Sequence, residues 1–313
     1  MDDKLLVEEI LRLKKEKNAV ILAHNYEVGE IQDAADFVGD SLGLSQTAGK
    51  SNADIIVFCG VHFMAETASI ISPNKKVLLP DLEAGCSLAS TIDAKQLVEW
   101  KKEFPGSVVV SYVNTTAEVK AESDYCCTSS NAVKVVNAIP KDKKILFLPD
   151  KFLGMYVKTI TGRDIEIWDG ACHVHEKIGD MNLNKAKELF PDAQVLIHPE
   201  CGCSTSCMYR STKYGNTEDI KIFSTEGMIN HVKSSPKNEF LIATETGILH
   251  RLKKDNPHKI FHPASENSVC EYMKKITLEK LYNSLLNEEF EIKVPEEIAL
   301  KARKPIERML SIY

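Results

Sequence analysis

The chain has 313 residues, 43% hydrophobic and 27% charged, with a formal net charge of −6. That composition suits an ordinary folded protein of two or three structural units, or one large α/β body. The negative balance argues against nucleic acid or an anionic membrane as partner, and no run of about 18 apolar residues is available to span a bilayer.

The opening stretch, "MDDKLLVEEILRLKKEKN", is acidic and then amphipathic, and reads as a helix rather than a secretory leader. Nine cysteines, an odd number without an export signal, point to reduced thiols in a cytoplasmic setting. Metal binding or catalysis is then favoured over a disulfide framework.

In chain order, a helix followed by an apolar strand recurs three times. "LLVEEILRLKKEKNAVILAHNY" predicts a strand from Ala19 to Ala23, with His24 and Tyr26 just beyond it. "AKQLVEWKKEFPGSVVVSYVN" gives a second, with Tyr112 and Asn114 at its end, and "NKAKELFPDAQVLIHPE" a third, ending in His198 and Glu200. Val20, Val108 and Val195 open these apolar runs at near-equal spacing. Behind each comes a hydroxyl residue opening a predicted helix ("FVGDSLGLSQTAGK", "DYCCTSSNAVKVVN", "IFSTEGMINHVK"). A second strand and helix follow, then a short strand and a closing loop. Short continuous runs of Val, Ile and Leu alternating with helices are the pattern of parallel strands covered on both faces.

The expected fold class is therefore α/β, with three pseudo-symmetric αβα sandwich units at residues 1–88, 89–174 and 175–275. A helical tail, 276–313, packs back on the body. Three such units without linkers are expected to turn their strand ends toward one central site, because ligands of parallel sheets bind at the carboxyl ends of strands.

Each closing loop holds one cysteine: Cys86, Cys172 and Cys270. A helix-forming run follows each, which places the sulfur near a helix N-terminus and favours thiolate. Three thiolates on a pseudo-threefold axis suit a [4Fe–4S] cluster with one iron lacking a protein ligand, free to act as a Lewis acid. The rival is "HPECGCSTSC", with Cys201, Cys203 and Cys207. Its C-x-C-x3-C spacing fits neither structural zinc nor ferredoxin patterns, so a surface or cleft-lining insertion with free thiols is the preferred reading. Cys59, Cys126 and Cys127 read as packing residues. His62 and Glu66, at i and i+4, read as a surface or interdomain hydrogen-bonded pair. "GLSQTAGKS" imitates a phosphate loop, but has one residue too many between its glycines and is not expected to follow a strand.

The motifs "HNYE", "GVHFMAETA", "DLEAGCSLA", "YVNTTAEVKAESDYCCTSSNA", "FLPDKFLG", "WDGACHVHE", "HPEC", "STEGM", "ATETG" and "MKKITLEKL" together resemble the quinolinate synthase family over nearly the whole chain. The resemblance implies three pseudo-symmetric domains around one [4Fe–4S] cluster on Cys86, Cys172 and Cys270. It implies condensation of iminoaspartate with dihydroxyacetone phosphate to quinolinate, for NAD biosynthesis, and transient contact with the enzyme that supplies iminoaspartate. By motif it carries active-site roles to His24, Tyr26, Ser41, Tyr112, Asn114, Ser129, His175, His198, Glu200, Ser224 and Thr225.

Physical roles follow. Ser41, Ser129 and Ser224 at helix starts suit phosphate and carboxylate binding. His24 and His198 suit hydrogen bonding or proton movement, Glu200 general acid or base work, and Tyr26 and Tyr112 orientation or protonation. The extra Cys203 and Cys207 depart from the family pattern. The alternative enzyme is a [4Fe–4S] hydro-lyase acting on a small hydroxy acid, which would need no triose phosphate. A non-enzymatic iron–sulfur sensor or a structural zinc protein would show no turnover.

Overall fold

A computed structural model of the chain describes residues 2–214 and 220–312. The first helix forms where expected. Asp2 caps it, its carboxylate accepting the Leu5 N–H at 2.8 Å, and Leu6, Ile10 and Leu13 make one buried stripe.

The chain runs α1 (Asp3–Glu16), β1 (Ala19–His24), α2 (Gly29–Ala34), β2 (Phe37–Gly39), α3 (Ser41–Lys50), β3 (Ile55–Cys59), α4 (His62–Ile71) and β4 (Lys76–Leu78). The same order repeats as α5 (Ala94–Glu103), β5 (Val108–Tyr112), α6 (Ala117–Ala121), β6 (Tyr125–Cys127), α7 (Ala132–Ala138), β7 (Ile145–Leu148), α8 (Lys151–Thr161) and β8 (Ile165–Ile167). It repeats again as α9 (Asp180–Leu189), β9 (Gln194–Ile197), α10 (Ser204–Tyr214), β10 (Ile220–Ile222), α11 (Thr225–Ser234), β11 (Glu239–Ala243), α12 (Ile248–Asp255) and β12 (Ile260–Pro263). Two tail helices close the chain, α13 (Leu278–Asn287) and α14 (Glu296–Ser311).

Three parallel four-stranded sheets result, ordered β2-β1-β3-β4, β6-β5-β7-β8 and β10-β9-β11-β12. The repeated strand order is the structural counterpart of the sequence repeat. Strands β3, β7 and β9 are buried along their whole length, as continuous apolar runs between two helical layers require. In every sheet the chain enters at an inner strand, so β1, β5 and β9 deliver His24, Tyr112 and the segment from His198 to the carboxyl edge. Among the described residues, no helix is long and apolar enough to cross a membrane.

Several expectations need correction. The cysteine cluster is no surface or cleft-lining loop: Cys201, Cys203 and Cys207 are fully buried among Ile178, Leu183, Val195 and Ile197, and the segment leads into α10, the counterpart of α2 and α6. Small apolar thiols pack well there, whatever their spacing suggests. The glycine-rich run of 43–51 does follow a strand, β2, but all of it except Ser51 lies inside α3, where backbone N–H groups serve the helix rather than a phosphate. Cys86 and Cys270 precede only 3₁₀ turns, at Ala89–Thr91 and Met273–Lys275, and Cys172 precedes a turn, so none opens an α-helix. Cys59, Cys126 and Cys127 are core residues as read. Glu66 makes its hydrogen bond between repeats, accepting the Ala117 N–H at 3.1 Å, with His62 Nδ1 3.6 Å away.

Candidate active site

The carboxyl edges of the three sheets border one cavity. It is lined by His24, Tyr26 and Ser41 from the first repeat, by Tyr112, Asn114 and Ser129 from the second, and by His175, His198, Glu200 and Thr225 from the third. Cys86, Cys172 and Cys270 reach the same space. Of the residues to which the resemblance carries active-site roles, Ser224 alone is not part of the wall. Its hydroxyl caps α11, accepting the Gly227 N–H at 3.1 Å, and stands 3.0 Å from Ser130 Oγ.

The helix starts differ from expectation in detail. Ser41 is the first residue of α3, but Asp40 does the capping, accepting the Gly43 N–H at 2.8 Å and a short hydrogen bond from Ser130. Ser129 lies ahead of α7 and shares a 3.2 Å hydrogen bond with His198 Nε2. Thr225 Oγ1 accepts from Asn25 Nδ2 at 3.3 Å. A sequence gives the hydroxyl pattern. It does not say which neighbour turns into the helix end and which into the cavity.

Glu200 is the hub. Tyr112 donates a short hydrogen bond to its Oε1, while His198 Nδ1 and His175 Nδ1 stand 3.6 Å from its two carboxylate oxygens. Burial, with the Asp150 carboxylate adding, pushes the Glu200 carboxyl up to about 8. Burial also pushes the Tyr26 and Tyr112 phenols well above their usual value, with Glu200 adding to both. The histidines move the other way. Burial takes His24 and His175 down to about 3 and His198 well below the normal imidazole range. All three are neutral near pH 7, so they act as oriented hydrogen-bonding groups rather than cations. His24 Nδ1 accepts the Tyr26 N–H at 3.2 Å, which leaves its Nε2–H as the donor toward the cavity. The Asn114 Oδ1, His175 Nδ1 and His198 Nδ1 atoms are buried without a hydrogen-bond partner. Among the described residues no Lys or Arg lines the cavity. An anionic ligand would be held there by neutral donors and helix starts.

The donor set suits a metal group. Ligand atoms of Cys172, His175 and Glu200 lie within 4.8 Å of one another, a grouping able to hold a metal ion. The three loop cysteines share a local design. Two residues before each, a backbone carbonyl anchors the loop to the segment entering the preceding helix, α4, α8 or α12. Ala84 O accepts from His62 N and Gly170 O from Lys151 N, each at 2.8 Å, and Ser268 O accepts from Thr246 N at 2.9 Å. The N–H groups two and three residues after each cysteine favour its thiolate: Leu88 and Ala89, Val174 and His175, Tyr272 and Met273. Burial outweighs them, raising Cys86 to about 12 and lifting Cys172 and Cys270, so a bound cation is what would stabilise the anions. The other six cysteines are fully buried and none reaches the cavity.

Residues 8–311 match the family described as quinolinate synthetase A protein. The chain belongs to the quinolinate synthase family. It is 57% identical to the quinolinate synthase of Pyrobaculum aerophilum over 305 residues, covering 97% of this chain and 99% of the relative. It is 53% identical to that of Thermus thermophilus over 312 residues, covering 100% and 99%. It is 51% identical to that of Mycobacterium sp. strain KMS, covering 97% and 91%. As a member of the quinolinate synthase family the chain is an enzyme, and the cavity is its candidate active site.

Sequence reasoning missed Asp40, Thr244 and Glu245. Asp40 stands beside Ser41 in "GDSL", where an acidic residue before a helix is a capping signal. Thr244 and Glu245 sit in "ATETG" at the end of an apolar strand, a position that itself marks a ligand edge.

Proposed function

We propose that the chain is a quinolinate synthase that condenses iminoaspartate with dihydroxyacetone phosphate, releasing phosphate and water, in NAD biosynthesis. The observation that carries this reading is the meeting of three loop cysteines with Glu200, two tyrosines and three neutral histidines around one cavity. In this reading residues 1–88, 89–174 and 175–275 are three pseudo-symmetric domains about a shared axis, and 276–313 is the tail. Cys86, Cys172 and Cys270 would hold a [4Fe–4S] cluster, one ligand from each domain. When bound, it supplies a Lewis-acidic iron for a substrate oxygen.

The chain's own groups do the rest. Ser41, Ser129, Thr225 and the starts of α3, α7 and α11 bind phosphate and carboxylate through hydroxyls and backbone N–H groups. Ser224 supports them by capping α11. His24 and His198 donate to substrate carboxylates as neutral imidazoles. The orphan Asn114 Oδ1 accepts from a substrate N–H or O–H. Glu200, raised to about 8, takes and returns the protons of enamine formation, ring closure and aromatisation. Tyr112 orients that carboxyl, and Tyr26 offers an O–H to the substrate. A transient encounter with the enzyme that makes iminoaspartate would shorten the exposure of that unstable imine to water.

The test is an anaerobic assay on reconstituted protein with both substrates, with quinolinate measured alongside iron and acid-labile sulfide. Quinolinate formed only when both substrates are present, with about four iron and four sulfide per chain, supports the reading. Dehydration of a hydroxy acid without triose phosphate would replace it with a hydro-lyase. Zinc in place of iron, without turnover, would overturn it.

A further inference from the structure

Glu245 lies two residues beyond β11, is fully buried, and lines the cavity. Three donors converge on its two carboxylate oxygens. Oε1 accepts the Cys270 N–H at 3.0 Å and stands 3.0 Å from Lys274 Nζ, while Oε2 accepts the Gly247 N–H at 2.6 Å. Lys274 also donates to Tyr26 O. One carboxylate thus ties the backbone of a loop cysteine to the strand end of its own repeat and, through Lys274, to the first repeat. The same place is filled differently elsewhere. His62, Lys151 and Thr246 give the N–H groups that anchor the three cysteine loops, so Val61 and Asp150 are the counterparts of Glu245. Asp150 caps α8, accepting the Leu153 N–H at 2.7 Å, and the Cys172 N–H also favours its charge. Val61 offers no acceptor, yet the Cys86 loop runs into the same kind of 3₁₀ turn as the Cys270 loop. A carboxylate is therefore not needed to build such a loop.

We propose that Glu245 is a positioning residue for the metal group, holding the Cys270 backbone so that its thiolate is presented to the cavity and placing a negative charge beside that ligand. The inference rests on the function proposed above, in which Cys270 is a cluster ligand. All three partners of Glu245 are donors and one is an ammonium, so the place calls for two acceptor oxygens and an ionised carboxyl. An amide of the same shape must turn its NH2 toward at least one of those donors, which leaves a buried donor unmatched. Groups that orient a metal ligand from behind set how tightly the metal is held. A buried negative charge beside the ligand also lowers the reduction potential of a cluster bound there, because reduction adds a further negative charge.

The experiment reconstitutes wild type, Glu245→Gln, Lys274→Met and the Glu245→Gln/Lys274→Met pair without oxygen. It measures iron, acid-labile sulfide, the rate of iron release to a ferrous chelator, the midpoint potential of the cluster retained, and the circular dichroism of each. In Glu245→Gln, with circular dichroism unchanged, iron release is expected to be about 10- to 100-fold faster than in wild type, and the midpoint to move to more positive potential. Lys274→Met should release iron within about threefold of wild type, because its carboxylate still accepts both backbone N–H groups. The double variant strands no cation, so it takes the place of Glu245→Gln if that one fails to fold, and it should release iron as fast. A folded Glu245→Gln that keeps its iron as long as wild type overturns the proposal, as does a midpoint that stays put or moves negative. So does a double variant restored to the wild-type rate, since the stranded ammonium and not the lost acceptor would then be the cause, or a Lys274→Met as leaky as Glu245→Gln. A wild type that takes up no iron and sulfide removes the cluster from the proposed function, and this positioning role with it.

Discussion

Glu200 shows how a single residue ties burial to pH, because its carboxyl is held near 8 in the folded chain against an ordinary value of 4.5. Between those two values the folded protein keeps a proton that the unfolded chain gives up. The unfolded state then binds fewer protons, so stability falls as pH rises across that window and levels off above it. The slope from one such group is at most about 1.4 kcal/mol per pH unit. Glu200→Gln removes the titration and keeps the shape. In metal-free protein this variant is expected to be more stable than wild type at pH 8, with the advantage shrinking toward pH 4.5. Urea unfolding at a series of pH values measures it. A difference that does not change with pH would mean that the Glu200 charge is not desolvated. The same variant cannot exchange a proton, so quinolinate formation should fall by about 10²- to 10⁴-fold.

At the scale of elements, the three cysteine loops hang from the same anchor but differ in the residue that makes it: Ala84, Gly170 and Ser268. Two of these carry a Cβ without difficulty. At Gly170 a Cβ would collide with Pro149 O and the Thr91 hydroxyl, so the loop sits closer to its neighbours there. Gly170→Ala is therefore expected to shift the Cys172 loop and to lower iron and sulfide after reconstitution well below about four of each, while circular dichroism stays that of wild type. Full loading in a folded variant would show that the loop can move without losing its ligand. The repeat that exposes this pattern was legible in the sequence, since helix, strand and closing loop return in fixed order and Val20, Val108 and Val195 keep near-equal spacing. So were the loop cysteines, which stand at matching points of that order. The burial of Cys201, Cys203 and Cys207 was not legible. A C-x-C-x3-C string looks the same whether its thiols meet a metal or the apolar face of a sheet, and only the packing of Ile178, Leu183 and Val195 decides. The meeting of Thr244 with Tyr26 and His175 was equally hidden, because it brings together residues 218 and 69 positions apart.

At the scale of the whole molecule, the tail helix α14 acts as a strap between repeats and reaches back to the cavity wall. It packs on α4 of the first repeat and on α6 and β6 of the second, with Ala302, Ile306 and Met309 buried beneath it. Arg303 donates two hydrogen bonds to Ile70 O, at 3.1 and 2.8 Å. The join to the site is Asn131. Its Nδ2 donates to Met309 O at 3.0 Å and Ile312 O at 2.7 Å, and its Oδ1 accepts the Thr128 N–H at 2.9 Å. Thr128 and Ser129 line the cavity. One amide therefore fastens Met309 and Ile312 to the wall of the cavity. Asn131→Asp keeps the acceptor and turns the donor into a charge facing two carbonyl oxygens. It is expected to cost about 1–3 kcal/mol in urea unfolding, and, on the function proposed above, to raise KM for dihydroxyacetone phosphate as the Thr128–Ser129 turn loosens. Met309→Ala removes packing under the same helix and is expected to cost about 2–5 kcal/mol, with a smaller change in KM because the amide bridge stays in place. If the two variants are equally destabilised and show the same KM, the tail serves only the stability of the fold. A KM change confined to the Asn131 variant would make the end of the chain part of the substrate site.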